Sequence, residues 1–145
     1  MLESIAQTVP PEILDRMRVQ ERFDCWNRGE LDLMLEMYAE DAVFDVSAVF
    51  TDVAPVRGHR DMLRYWKELQ ETWGGGMRMD PLEVFDLGDG HYVLDIRLWG
   101  KGTLSGVEVD QRLGFLYKFR PDGKIVHAKL FPNVSAAQSS ASHTA

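Results

Sequence analysis

At Gly74-Gly75-Gly76 the chain changes its period, and that change restricts its possible folds more than any other feature. Before the glycines, Met62, Leu63, Trp66, Leu69 and Trp73 recur near i, i+4, i+7 and i+11, the spacing of an amphipathic helix that Gly58-His59 opens. After them, alternation takes over. Leu82–Leu87, Tyr92–Trp99, Val109–Phe119 and Lys124–Phe131 read as strands, with turns at Gly88-Asp89-Gly90 and Pro121-Asp122-Gly123. Four strands in succession predict an antiparallel meander. Helices first and strands after them, in one chain of 145 residues, predict an α+β domain: a curved, mostly antiparallel sheet wrapped around helices as a cone. A cone of this kind commonly holds a small-molecule pocket.

The first third supplies the remaining elements. Residues 1–10 read as a flexible leader, and Pro11 suits the first turn of a helix, where its missing N–H costs nothing. Ile13, Leu14, Met17, Val19, Phe23 and Trp26 follow at near-helical spacing until Asn27-Arg28-Gly29, glycine being the residue that best tolerates a left-handed cap. A shorter helix carries Leu31, Met34, Leu35 and Tyr38, and Ala42–Val46 is β-branched and aromatic enough for a strand. The segment from there to Arg57 reads as a loop or ragged hairpin. Residues 11–134 therefore form one domain, and 135–145, made of Ser, Ala, Gln, His and Thr, are expected to be a disordered tail.

Charge and composition exclude several functions. With 16 Lys+Arg against 23 Asp+Glu the net charge is −7, and no basic run exists to displace counterions from a nucleic acid. No stretch approaches the roughly 18 apolar residues that span a bilayer, so a soluble, cytoplasmic protein without membrane partners is expected. Cys25 stands alone and cannot form an internal bridge. His59, His91, His127 and His143 lack metal-site spacing, so neither metal nor cofactor is expected. Gly102-Thr103-Leu104-Ser105-Gly106 joins two strands and is not a nucleophile elbow.

Several motifs carry a resemblance. Asn27-Arg28-Gly29-Glu30-Leu31-Asp32, Met37-Tyr38-Ala39-Glu40-Asp41-Ala42-Val43-Phe44, and Arg57-Gly58-His59 at a helix start resemble the SnoaL-like and ketosteroid-isomerase-like branch of the nuclear-transport-factor-like superfamily. Ser105-Gly106-Val107-Glu108-Val109 and Asp122-Gly123-Lys124-Ile125-Val126 continue it, so the likeness runs from about Glu12 to Pro132. It implies the cone fold and, in many relatives, a homodimer through the exposed sheet face. It does not settle the chemistry.

The resemblance does show which catalytic groups are missing. Isomerases of this type use a carboxylate base, a tyrosine and a neutral aspartic acid; the matching positions hold Val46, Arg22 and Phe115. Asp45 neighbours the base position, but one step along a strand points to the opposite face. Aldol cyclases carry an acid on the last strand, usually with a histidine two residues earlier, and here those positions are Leu130 and Ala128. Epoxide-hydrolase-like relatives place an Arg-x-Asp pair on a middle strand. This chain has it reversed, as Asp95-Ile96-Arg97.

Three catalytic candidates remain: Arg22, Asp95 and Arg97. Arg22 falls where relatives tend to place a cavity-facing aromatic residue, and a five-donor cation there suits an enolate or carbonyl oxygen; alternatively it snorkels to solvent. For Asp95 and Arg97, periodicity and resemblance disagree. Tyr92, Leu94, Ile96 and Leu98 form an apolar face that would pack on the helices and turn Asp95, Arg97 and Trp99 outward, whereas the likeness to isomerases puts those three in the pocket. Trp26, Tyr38, Val46, Tyr65, Trp99, Gln111, Phe115 and Leu130 are the candidate substrate contacts, with core packing or backbone bonding as the alternative for each.

The expected function is a cyclase or isomerase for a hydrophobic, polyketide-like molecule of natural-product (antibiotic) biosynthesis, acting mainly by holding its substrate in a reactive fold, including a cycloaddition-type closure. A non-catalytic binder or dimerisation module of the same fold, and an acid/base enzyme built on Asp95 with Asp45, are the alternatives.

Overall fold

The computed structural model describes residues 6–7, 18–73, 76–101 and 106–144. Ile13, Leu14 and Met17, the start of the expected first helix, lie outside the described residues, as do Gly74, Gly75 and 102–105. Helices α1 (Val19–Arg28), α2 (Leu31–Leu35) and α3 (His59–Trp73) precede the main meander, and α4 (Val134–Thr144) follows it. The strands are β1 (Ala6–Gln7), β2 (Tyr38–Asp45), β3 (Val56–Arg57), β4 (Met77–Gly88), β5 (His91–Lys101), β6 (Glu108–Phe119) and β7 (Ile125–Phe131). They form one sheet in the order β1-β4-β5-β6-β7-β2-β3.

The expected meander is present: β4 to β7 pair antiparallel in succession. β2 extends the sheet beyond β7, running parallel to it with Phe44 opposite Ala128, and the curved sheet stays open between its β1 and β3 edges. Tyr38 belongs to this strand and not to the preceding helix, because the chain leaves α2 at Leu35 and Met37 already accepts a sheet-type bond from the Ile125 N–H. Pro81 sits fully buried in β4 beside a register shift, a bulge that bends the strand and helps curl the sheet.

One stripe of α1 and one of α3 enter the curl. Phe23 and Trp26 of α1 and Met62 and Trp66 of α3 are buried against the inner sheet face, where Leu94, Ile96 and Leu98 alternate out of β5. Gly29 ends α1 in the left-handed conformation at φ 75°, its N–H reaching back to the last carbonyls. The preceding Asn27 fastens α1 to β4 by a two-way amide contact, 2.8 Å to the Met79 carbonyl and 2.8 Å from the Met79 N–H.

Two terminal expectations are corrected. Ala6–Gln7, within the expected leader, pairs parallel with β4 at Glu83 and Val84. Val134–Thr144, which takes in all of the expected tail but its last residue, forms α4 on the outer sheet face. The Asn133 side chain accepts the Ala136 N–H at 2.8 Å, a helix N-cap, and Ala137 packs into a small cluster with Val93, Leu116 and Phe131. Apolar surface supplied by the sheet, not by the tail itself, orders the segment. Gly114 permits the close crossing, since a Cβ there would stand 2.7 Å from the Asn133 carbonyl oxygen.

Candidate functional site

The inside of the cone is an apolar cavity with one charged lining side chain among the described residues, Arg22. Its walls come from every layer. Trp26 and Phe23 stand on α1, Tyr65, Leu69 and Trp73 on α3, Phe44 on β2, Leu98 on β5, Leu113 and Phe115 on β6, and Leu130 on β7. The cavity volume is about 40 Å³, room for a few waters in its present shape. Edge and tilted aromatic contacts define its faces: Phe44 lies 5.6 Å from Trp66, 6.1 Å from Tyr65 and 6.0 Å from Phe115 between ring centroids.

Arg22 is 1% exposed. It faces inward because it shares the buried side of α1 with Val19, Phe23 and Trp26. Its guanidinium carbon lies 4.7 Å from the Tyr117 ring centroid and 5.7 Å from that of Phe23, cation–π geometry in a dry setting. Tyr117 also takes hydrogen bonding from Arg22 and Tyr38, so three polar heads gather in an apolar space. Burial pushes the Tyr117 phenol above its ordinary value, against the pull of Arg22 and Tyr38. Tyr38 is held well above its own, first by burial and then by Tyr117, with Arg22 opposing. Both phenols therefore stay neutral donors through the physiological range.

The candidates from sequence divide cleanly. Arg22, Trp26, Tyr38, Val46, Tyr65, Phe115 and Leu130 all line the cavity. Asp95, Arg97 and Trp99 do not. The apolar face of β5 packs inward, and alternation then turns these three to the outer face. There Arg112 pairs Asp95, with one contact at 2.9 Å, and Arg97 pairs Asp110 through two contacts of 2.9 and 2.8 Å. The Trp99 indole donates to Asp80 at 2.6 Å. Gln111 has inward parity, opposite Leu98, yet it stands exposed beyond the cavity.

The Asp45 and Asp95 carboxylates do not meet. Asp45 is on β2 and Asp95 on β5, three strand spacings or about 14 Å apart across the sheet. Asp45 instead accepts the Ser47 N–H at 2.9 Å and its hydroxyl at 2.6 Å. Among the described residues no group of three or more His, Cys, Asp or Glu is placed to hold a metal ion, and no helix is long and apolar enough to cross a membrane.

Tyr117 is the polar cavity residue that sequence reasoning passes over. Its signal was present: it lies two residues from Phe115, hence on the same face of β6. Trp73 and Leu98 are further wall residues read only as core from their periodicity.

A curved sheet around helices, enclosing an apolar cavity with a small polar cluster, defines the ketosteroid-isomerase-like class of α+β cone. The chain belongs to the SnoaL-like domain family, whose sequence model matches residues 19–128. No curated protein matches the sequence. Among solved structures, one similar to this chain is Bal32a from a soil-derived mobile gene cassette, 15% identical over 80% of this chain and 88% of that one, TM-score 0.69. Another is SalBIII, described as an epoxide hydrolase/cyclase-like enzyme in pyran ring formation in the polyether salinomycin, 17% identical over 86% and 95%, TM-score 0.69. RV0760c from Mycobacterium tuberculosis, in complex with estradiol-17beta-hemisuccinate, is 15% identical over 84% and 94%, TM-score 0.66. At these identities the likeness is one of fold.

Proposed function

We propose that the cone binds a hydrophobic, polyketide-like small molecule and promotes its cyclisation or isomerisation by holding it in a reactive conformation. The observation that carries this reading is the Arg22–Tyr117–Tyr38 cluster at the wall of an otherwise apolar cavity. A ligand carbonyl placed against it receives hydrogen bonds from a permanent cation and neutral phenols, which stabilise negative charge developing on that oxygen. No carboxylate or imidazole lines the cavity among the described residues, so the protein's part is orientation and polarisation. The space of about 40 Å³ must widen to take such a ligand, and Tyr65, Leu69 and Trp73 are half-buried side chains of its wall.

The same lack of an acid or base favours a second reading, a non-catalytic binder of the same ligand class. A neighbour of this fold is described in complex with a steroid derivative. The deciding experiment incubates the protein with a linear polyketide and follows ring formation. Faster closure with protein, lost in Arg22→Met, supports catalysis; equal rates with saturable binding leave the binder; equal rates without binding discard both. A cytoplasmic place in natural-product biosynthesis belongs to this reading. So does a homodimer, using the outer face around Arg97 and Arg112 that α4 leaves open.

A further inference from the structure

Behind the cone, on the opposite face of the sheet, lies a second recess of about 320 Å³ bordered by His91, Leu116, Lys118, His127, Lys129 and Ser140. Strand register builds it. His91 of β5 pairs with Lys118 of β6, and Lys118 pairs with His127 of β7. Three nitrogen-bearing side chains therefore stand in one row, about 5 Å apart from strand to strand. Continuing the row, His127 pairs with Val43 and Val43 with Arg57, so four of five positions are basic or protonatable. Lys129 joins from the same face two residues along β7, opposite Leu116.

In a chain of net charge −7 such a row does not follow from composition. Nor is it a fully solvated surface: His91, Lys118, His127 and Lys129 are each partly buried, and α4 supplies Ser140 at the border. Acidic compensation is slight. Lys129 Nζ is 3.9 Å from Asp45 Oδ2, a long ion pair with one carboxylate whose other oxygen takes Ser47, and Lys118 donates to the Asp89 carbonyl. Burial pushes the His127 imidazole below its ordinary value; Asp45 opposes the fall, and Lys129, His91 and Arg57 add to it. Positive groups that repel one another in a recess are stabilised by a bound anion.

We propose that this recess is a binding site for a phosphate group, free or as the monoester of a small molecule, with Lys118, Lys129, His127 and His91 as its donors. Donors from three neighbouring strands border one recess, and a tetrahedral anion has an acceptor for each of them once the lysine heads turn to it from Asp89 and Phe131. The apolar Leu116 floor and the width of the recess leave space for the organic part of an ester. The site is independent of the cone, because alternation puts its residues on the other face of β5, β6 and β7.

The test is an NMR titration of the full chain with inorganic phosphate at constant ionic strength, near pH 6.5, reading the imidazole signals of His91 and His127. Saturable shifts at both, absent with chloride, and an upward displacement of the His127 titration in phosphate are expected. Lys118→Met combined with Lys129→Met weakens binding at least tenfold. Glycerol phosphate binding more tightly than phosphate assigns the site to an ester, and equal affinity assigns it to the free anion. Shifts that grow linearly with concentration, or a double variant that binds like the parent, overturn the proposal.

Discussion

The Arg22 guanidinium stands over the Tyr117 ring, 4.7 Å from its centroid, joining the first described helix to the third strand of the meander inside the cavity. Arginine is always charged, so this places a fixed positive group in an apolar space. The tyrosine supplies both a π face and an oxygen that receives hydrogen bonding. A ligand oxygen entering here meets a preorganised donor set.

Replacing Arg22 by Met keeps an unbranched apolar stem and removes the charged guanidinium. Affinity or turnover for a carbonyl-bearing ligand is expected to fall about 10- to 100-fold, equivalent to roughly 1.5–3 kcal/mol for a charge-assisted hydrogen bond. Isothermal titration or single-turnover kinetics checks this, with circular dichroism confirming the fold. An unchanged constant would remove Arg22 from the site.

Alkaline pH tests the burial of Tyr38. Its folded pKa is raised, by burial first, so the stability it contributes is whole below about pH 10, the ordinary tyrosine value, and is lost as pH rises from there through the folded value. Thermal midpoints measured from pH 8 to 11.5 are expected to drop more steeply for the parent than for Tyr38→Phe. Parallel curves would contradict this.

Asp95 is 7% exposed yet belongs to the outer face, where Arg112 holds it. Asp95→Asn is therefore expected to leave ligand binding in the cone within twofold and to cost about 1 kcal/mol or less in stability, as for a pair whose cation is solvated. Urea unfolding alongside ligand titration separates the two effects. Loss of ligand binding without loss of stability would return Asp95 to the site.

Gly114→Ala puts a methyl 2.7 Å from the Asn133 carbonyl oxygen and must displace the start of α4. About 1–3 kcal/mol of destabilisation is expected from the forced shift. Deleting residues 134–145 uncovers Val93, Leu116 and Phe131, and should lower the thermal midpoint and promote self-association, read by light scattering.

The cavity wall was legible where the family resemblance fixes the register of an element. Trp26, Tyr38, Val46, Tyr65, Phe115 and Leu130 fall at cavity positions of the family that the chain resembles, and all line the cone. Tyr117 was equally available from its spacing to Phe115, but a tyrosine among apolar neighbours gives no sign in sequence of which polar group it meets. That group, Arg22, lies 95 positions away on another element. The tail misled for a related reason: its composition lacks apolar weight, and the surface that orders it belongs to β5, β6 and β7.

What the sequence determined by itself was the succession of helices and strands, the α+β class, the family, and the loss of the usual catalytic carboxylates at Val46, Phe115 and Leu130. The elements and the class depend on local periodicity, and the family and the missing carboxylates on motifs that resemble known relatives; neither needs a tertiary partner. Only the tertiary structure decided which face of β5 turns inward, and so sent Asp95, Arg97 and Trp99 away from the cavity. Strand alternation leaves two faces for an isolated segment, and the choice is made by burial of Leu94, Ile96 and Leu98 against the helices.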